Sequence, residues 1–129
     1  MQNRPTAAEL IEAVREFLEP LAPELSGRAA FLARVAGNVL SMVERELALA
    51  PEASAAEHAR LTALLGQDGT LEALNRELCR RIRDGRLTLD SPGLVAHLRR
   101  TTLDKVAVDQ PGYAGYRRAL ERWSEAART

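Results

Sequence analysis

The sequence predicts an all-α fold, a single-domain bundle of about six helices occupying residues 1–129. Three observations carry that expectation. Alanine, leucine, arginine and glutamate dominate while aromatic residues make up 4% and β-branched residues are sparse, a composition that favours helix over sheet. Apolar residues recur three and four positions apart through most of the chain, the spacing of a helical stripe. Capping residues, prolines and glycines then punctuate the stripes at intervals of one helix each.

The first helix begins at Pro5-Thr6-Ala7-Ala8-Glu9, where Thr6 can cap the Glu9 N–H and Glu9 can reach back to Thr6. Leu10, Ile11, Val14, Phe17, Leu18 and Leu21 share one face, and Pro20 and Pro23 end it. A second helix runs from Ser26-Gly27 to about Ala50 with Phe31, Leu32, Val35, Val39, Met42, Val43 and Leu47 as its apolar face, and Pro51 stops it. Ser54-Ala55-Ala56-Glu57 repeats the capping-box pattern and opens a short third helix through Leu61, Leu64 and Leu65, which Gly66 terminates. The second and third are expected to form a hairpin. Asp68 or Thr70 caps a fourth helix carrying Leu71, Leu74, Leu78 and Ile82, closed by Asp84 and a left-handed Gly85. Leu87-Thr88-Leu89 alternates like a strand but has no partner strand, so it reads as a packed connector. Ser91-Pro92 starts a fifth helix, and Asp109-Gln110-Pro111-Gly112 breaks it and opens a sixth with Tyr113, Tyr116, Leu120 and Trp123 three and four apart.

Charge narrows the function classes. Eighteen acidic and eighteen basic residues cancel, so no overall field draws the chain to nucleic acid or an anionic membrane. One cysteine, Cys79, excludes an internal disulfide, and two distant histidines supply no metal spacing. Neither a signal segment nor a run of about 18 apolar residues is present, and a cytoplasmic protein is expected. Glycine-rich phosphate loops, nucleophile elbows and paired metal histidines are missing, so the sequence leans away from an enzyme and implies no cofactor.

Several polar residues break the helical pattern. At about 100° per residue, Leu94, Val95, Leu98 and Val106 define the stripe of the fifth helix, and Thr102, Lys105 and Asp109 fall in the same arc. Lys105 is the only lysine of the chain. Glu46 lies at the centre of the arc made by Val39, Met42, Val43 and Leu49, and Asn75 lies beside Leu71, Leu78 and Ile82. An unpaired buried charge costs several kcal/mol, so Glu46 is expected to pair with Lys105 or an arginine. Such a group of inward residues is either a pin fixing helix register or the lining of a small pocket, and the pin is preferred. Asp109 can instead cap the sixth helix. Arg76, Arg80, Arg81, Arg83 and Arg86 form a basic cluster that Glu72, Glu77 and Asp84 dilute, which favours a solvated face over a nucleic acid site. His58 and His97 read as boundary residues, and Tyr113, Tyr116 and Trp123 as a core stripe or a dimer surface.

Arg4-Pro5-Thr6-Ala7-Ala8-Glu9-Leu10, Val43-Glu44-Arg45-Glu46-Leu47, Leu74-Asn75-Arg76-Glu77-Leu78 with Ile82-Arg83-Asp84-Gly85, and His97-Leu98-Arg99 through Lys105-Val106-Ala107-Val108-Asp109-Gln110-Pro111 together resemble an all-helical bacterial family of unknown function. The resemblance covers nearly the whole chain and implies a metabolic neighbourhood, because genes of that family commonly lie beside an aminoglycoside-phosphotransferase-like kinase and an acyl-CoA dehydrogenase. No catalytic residue is carried over. The expected function is therefore a non-enzymatic accessory partner of a phosphotransferase-like kinase or acyl-CoA dehydrogenase, possible also as a homodimer. The alternative is a small-ligand-binding domain or minor enzyme built on Lys105, Glu46, Asp109, Thr102 and Asn75.

Overall fold

The computed structural model describes residues 4–126, which form five α-helices and no strand: α1 (Ala7–Leu21), α2 (Gly27–Leu65), α3 (Leu71–Arg83), α4 (Leu94–Asp109) and α5 (Ala114–Ala126). A 3₁₀ turn, Ala22–Glu24, follows α1. Contacts gather into two compact units, Met1–Leu49 and Ala50–Thr129.

The expected second and third helices are one. Pro51 lies inside α2 instead of ending it, and Ser54-Ala55-Ala56-Glu57 is helix interior. Proline costs an interior helix about 3 kcal/mol through its lost N–H and its clash with the preceding turn. Here Leu47-Ala48-Leu49-Ala50 before it and Glu52-Ala53 after it are strong helix formers, with no glycine nearby to reverse the chain. The turn occurs only at Gly66, whose φ of +66° and N–H bond to the Thr62 carbonyl make the glycine termination that the sequence predicts.

In the first unit the capping box is present: the Thr6 hydroxyl accepts from Glu9 N at 3.2 Å and the Glu9 carboxylate accepts from Thr6 N at 2.6 Å. Arg15 Nε donates to Glu44 Oε1 at 3.1 Å and ties α1 to the early part of α2. On the Glu44 side of α2 the half-buried residues are Ala30, Ala33, Gly37, Leu40 and Ser41, mostly small side chains that let helix axes approach closely. Most of the large apolar residues expected inside are instead exposed, with Phe17 at 67% and Phe31 at 57%, while Ile11, Leu18 and Leu21 are half-buried. No residue of α1 is buried, and the buried residues of α2, Leu61 and Leu65, both lie in the second unit.

The second unit holds the core. Leu61 and Leu65 of α2, Leu74 and Leu78 of α3 and Leu94 of α4 form one buried cluster, with Leu64, Leu71 and Leu87 packed against it. Thr70 caps α3 by accepting from Ala73 N at 3.2 Å, and Gly85 past its end has the expected left-handed φ of +70°. Arg81 Nη1 donates to the Leu65 carbonyl at 2.9 Å and Nη2 to Gln67 Oε1 at 3.0 Å, so α3 satisfies the C-terminal end of α2. His58 Nε2 donates to the Gly69 carbonyl at 2.8 Å and holds the same turn from the other side.

α4 starts at Leu94 with left-handed Gly93 as its cap, later than the expected Ser91-Pro92 start. Ser91 does not cap it; its hydroxyl instead accepts from Thr88 N at 2.9 Å. α4 contacts α5, where the Arg99 guanidinium lies 5.3 Å from the centre of the Trp123 ring.

Candidate functional site

Placement of the polar residues turns on the rotation of α4. Of the expected stripe, Leu94 is buried and Val95 and Val106 are half-buried, but Leu98 is 39% exposed. The inner face is Leu94, His97, Thr101, Asp104 and Val108, all buried or half-buried and spaced three and four apart. Relative to 98, 102, 105 and 109 this is a shift of one residue, or about 100°. Thr102, Lys105 and Asp109 are consequently exposed, which corrects their expected inward placement. Thr102 Oγ1 donates to the Leu98 carbonyl at 2.7 Å within its own helix. Glu46, in the first unit, is also exposed on α2 and makes no ion pair within that unit, and Lys105 makes none within the second.

Asn75 does face inward. Its Nδ2 donates to Glu57 Oε1 at 2.9 Å and to the Leu71 carbonyl at 3.2 Å, joining α3 to α2. The second unit also assembles a polar layer that the apolar pattern of α4 does not reveal. Arg60 Nη2 lies 3.4 Å from Thr101 Oγ1 and 3.6 Å from Asp104 Oδ2, while Arg100 Nε reaches Asp104 Oδ1 at 3.0 Å. One carboxylate thus serves two guanidiniums. His97, 3% exposed, sits on the same face of α4, and its Nδ1, like Arg60 Nε, is buried with no hydrogen-bond partner. Burial holds the His97 imidazole below the usual histidine pKa; Arg60 adds to the effect and Glu57 opposes it.

Beside this layer a concavity of about 510 Å³ opens between α2 and α4, lined by Arg60, Leu64, Pro92, Gly93, His97 and Arg100 among others. Two cations sharing one carboxylate leave it an excess of positive charge, and Gly93 places it near the N-terminal end of α4. The chemistry on offer is attraction of a small anion. No serine, threonine, cysteine or lysine lines it.

The basic cluster at α3 is largely paired with its own carboxylates. Glu77 accepts from Arg80 and Arg81 at 2.7 Å each, which lowers its carboxyl pKa through the Arg81 and Arg80 hydrogen bonds. Asp84 lies 3.5 Å from both Arg80 and Arg86. Among the described residues no three His, Cys, Asp or Glu side chains are grouped to hold a metal, and no helix is long and apolar enough to cross a membrane.

A signal for the buried layer was present in the sequence, since 94, 97, 101, 104 and 108 follow an unbroken three-four spacing. It is hidden because three of those five residues are polar and a stripe defined by hydrophobicity passes over them. Comparison with curated proteins and with solved structures yields no match. The model of the Domain of unknown function (DUF6285) matches residues 23–113, which contain α2, α3, α4 and the polar layer, and the chain belongs to that family.

Proposed function

We propose that the chain is a non-enzymatic interaction module, an accessory partner of a phosphotransferase-like kinase or an acyl-CoA dehydrogenase. The observation that carries this reading is the unburied apolar surface of the first unit. Leu10, Val14 and Phe17 of α1 are 49–67% exposed although they form one stripe, and α2 adds a second apolar face. Monomeric proteins rarely leave contiguous apolar patches of more than a few hundred Å², and larger ones mark interaction sites. The choice of partner rests on the neighbourhood implied by the family resemblance. Coexpression with each neighbouring gene product tests it: capture of one of them that Phe17→Glu abolishes and Lys105→Met leaves intact is the expected result. Failure of both neighbours to associate at micromolar concentration overturns it.

A second reading, a small-anion-binding domain, is favoured by the Arg60–His97–Arg100 concavity. A carboxylate or phosphate ligand there should raise the melting temperature in wild type but not in Arg60→Met. Lys105→Met and Asn75→Ala variants tell whether residues singled out from the sequence contribute.

A further inference from the structure

The exposed face of α2 has an order that its partner must match. Arg28, Leu32, Val35, Val39, Met42 and Glu46 follow one another at spacings of four, three, four, three and four, the seam of a coiled coil. That pattern is the same read from either end, with an arginine at one end and a glutamate at the other. Eighteen residues make five helical turns, so Arg28 and Glu46 lie on the same line of the helix, about 27 Å apart. Both are exposed, and neither side chain makes a hydrogen bond or ion pair among the described residues. Leu32, Val35, Val39 and Met42 between them, with flanking Phe31, Val43 and Leu47, are 37–57% exposed.

We propose that this face pairs with a second copy of the chain, the two α2 helices running antiparallel about a twofold axis level with Gly37. In that register Arg28 of each copy meets Glu46 of the other, Leu32 meets Met42, and Val35 meets Val39. A twofold interface demands this reciprocity, in which one patch complements itself. Parallel pairing places arginine against arginine and glutamate against glutamate, which like-charge repulsion opposes. The area fits as well. Taking roughly 150 Å² for a fully exposed side chain of this size, the apolar residues of the face offer on the order of 500 Å² per copy. Two copies then supply about 1,000 Å², the apolar share of a homodimer interface of standard size, near 1,600 Å². The α1 stripe of Leu10, Val14 and Phe17 is not needed for this contact and is left for the accessory partner.

This inference rests on reading the first unit as an interaction surface, and it names one occupant. The test is light scattering and sedimentation on the full chain at micromolar concentration. Wild type is expected to be a dimer, and Arg28→Glu and Glu46→Arg each to weaken it about tenfold or more. Mixing the two variants restores association, because every contact is again between opposite charges. The Arg28→Glu/Glu46→Arg double variant restores it within one chain, which a parallel pair would not need. Arg28→Ala and Glu46→Ala add no repulsion and should weaken the dimer less, with helicity by circular dichroism confirming that each variant folds. A monomeric wild type, or a dimer indifferent to both reversals, overturns the proposal. If the wild type is monomeric yet captures a neighbouring gene product through Phe17, self-pairing falls and the accessory reading stands. A charge-swap-dependent dimer that captures neither neighbour gives the converse.

Discussion

The Asp104 carboxylate lies 3.6 Å from the Arg60 guanidinium across the α2–α4 contact, and the two side chains are only 17% and 27% exposed. The pair therefore sits where an ionic contact is screened less than at the surface, and where removing one partner strands the other. Arg100, also held by Asp104, is 63% exposed and relaxes into water without cost. Arg60 cannot do so, since its Nε is already buried without a partner. Asp104→Ala should therefore destabilise the chain by about 2 kcal/mol, measured as a shift in urea-unfolding midpoint at constant m-value. Lys105→Ala, one residue away and exposed, should change it by less than about 0.5 kcal/mol.

His97 should make stability depend on pH. Burial, reinforced by Arg60, holds its pKa below the 6.5 of a free histidine, so below that value the unfolded chain binds more protons than the folded one. Stability attributable to His97 is complete above the unfolded pKa and is lost as pH falls toward the folded one. Wild type should lose urea resistance from about pH 7.5 to about pH 5.5, and His97→Leu, which cannot titrate, should lose less over the same interval. A slope unchanged by the substitution would assign the dependence to other groups.

Local chemistry was the legible part of this fold. The Thr6–Glu9 capping box, the Thr70 cap and the left-handed Gly66 and Gly85 are decided by neighbours within a few residues, and each occurs as the sequence implies. Pro51 was misleading because a breaker acts against the propensity of its flanks, and alanine-rich flanks prevailed. α4 was misread by one residue because its inner face is paired polar chemistry, which no scale of hydrophobicity ranks as interior. Asn75 was legible because its neighbours on α3 are leucines. Glu46 was seen correctly to lie in an apolar arc, but that arc faces outward. Nothing in one chain distinguishes a stripe that packs on its own core from one that packs on another molecule.

Arg81 is expected to matter more than its place in a basic cluster suggests. It is half-buried, donates to the Leu65 carbonyl and Gln67, and is itself fixed by Glu77. Arg81→Ala leaves a terminal carbonyl of α2 without that donor and frees the turn before α3. The loss should be about 1–2 kcal/mol in thermal or urea unfolding. Arg83→Ala, exposed on the same helix, should cost less than about 0.5 kcal/mol.

Pro51 offers the opposite sign. Inside α2 it has no N–H to donate to the Leu47 carbonyl, and its ring crowds the preceding turn. Alanine removes both penalties, worth about 3 kcal/mol in a regular helix interior, while returning freedom to the unfolded chain that costs roughly 0.4–1 kcal/mol. The net expectation for Pro51→Ala is a gain of about 2 kcal/mol, read as a higher urea midpoint with unchanged helicity by circular dichroism. A loss of stability would mean that the packing around position 51 requires proline, and would overturn the reading of Pro51 as a tolerated interruption.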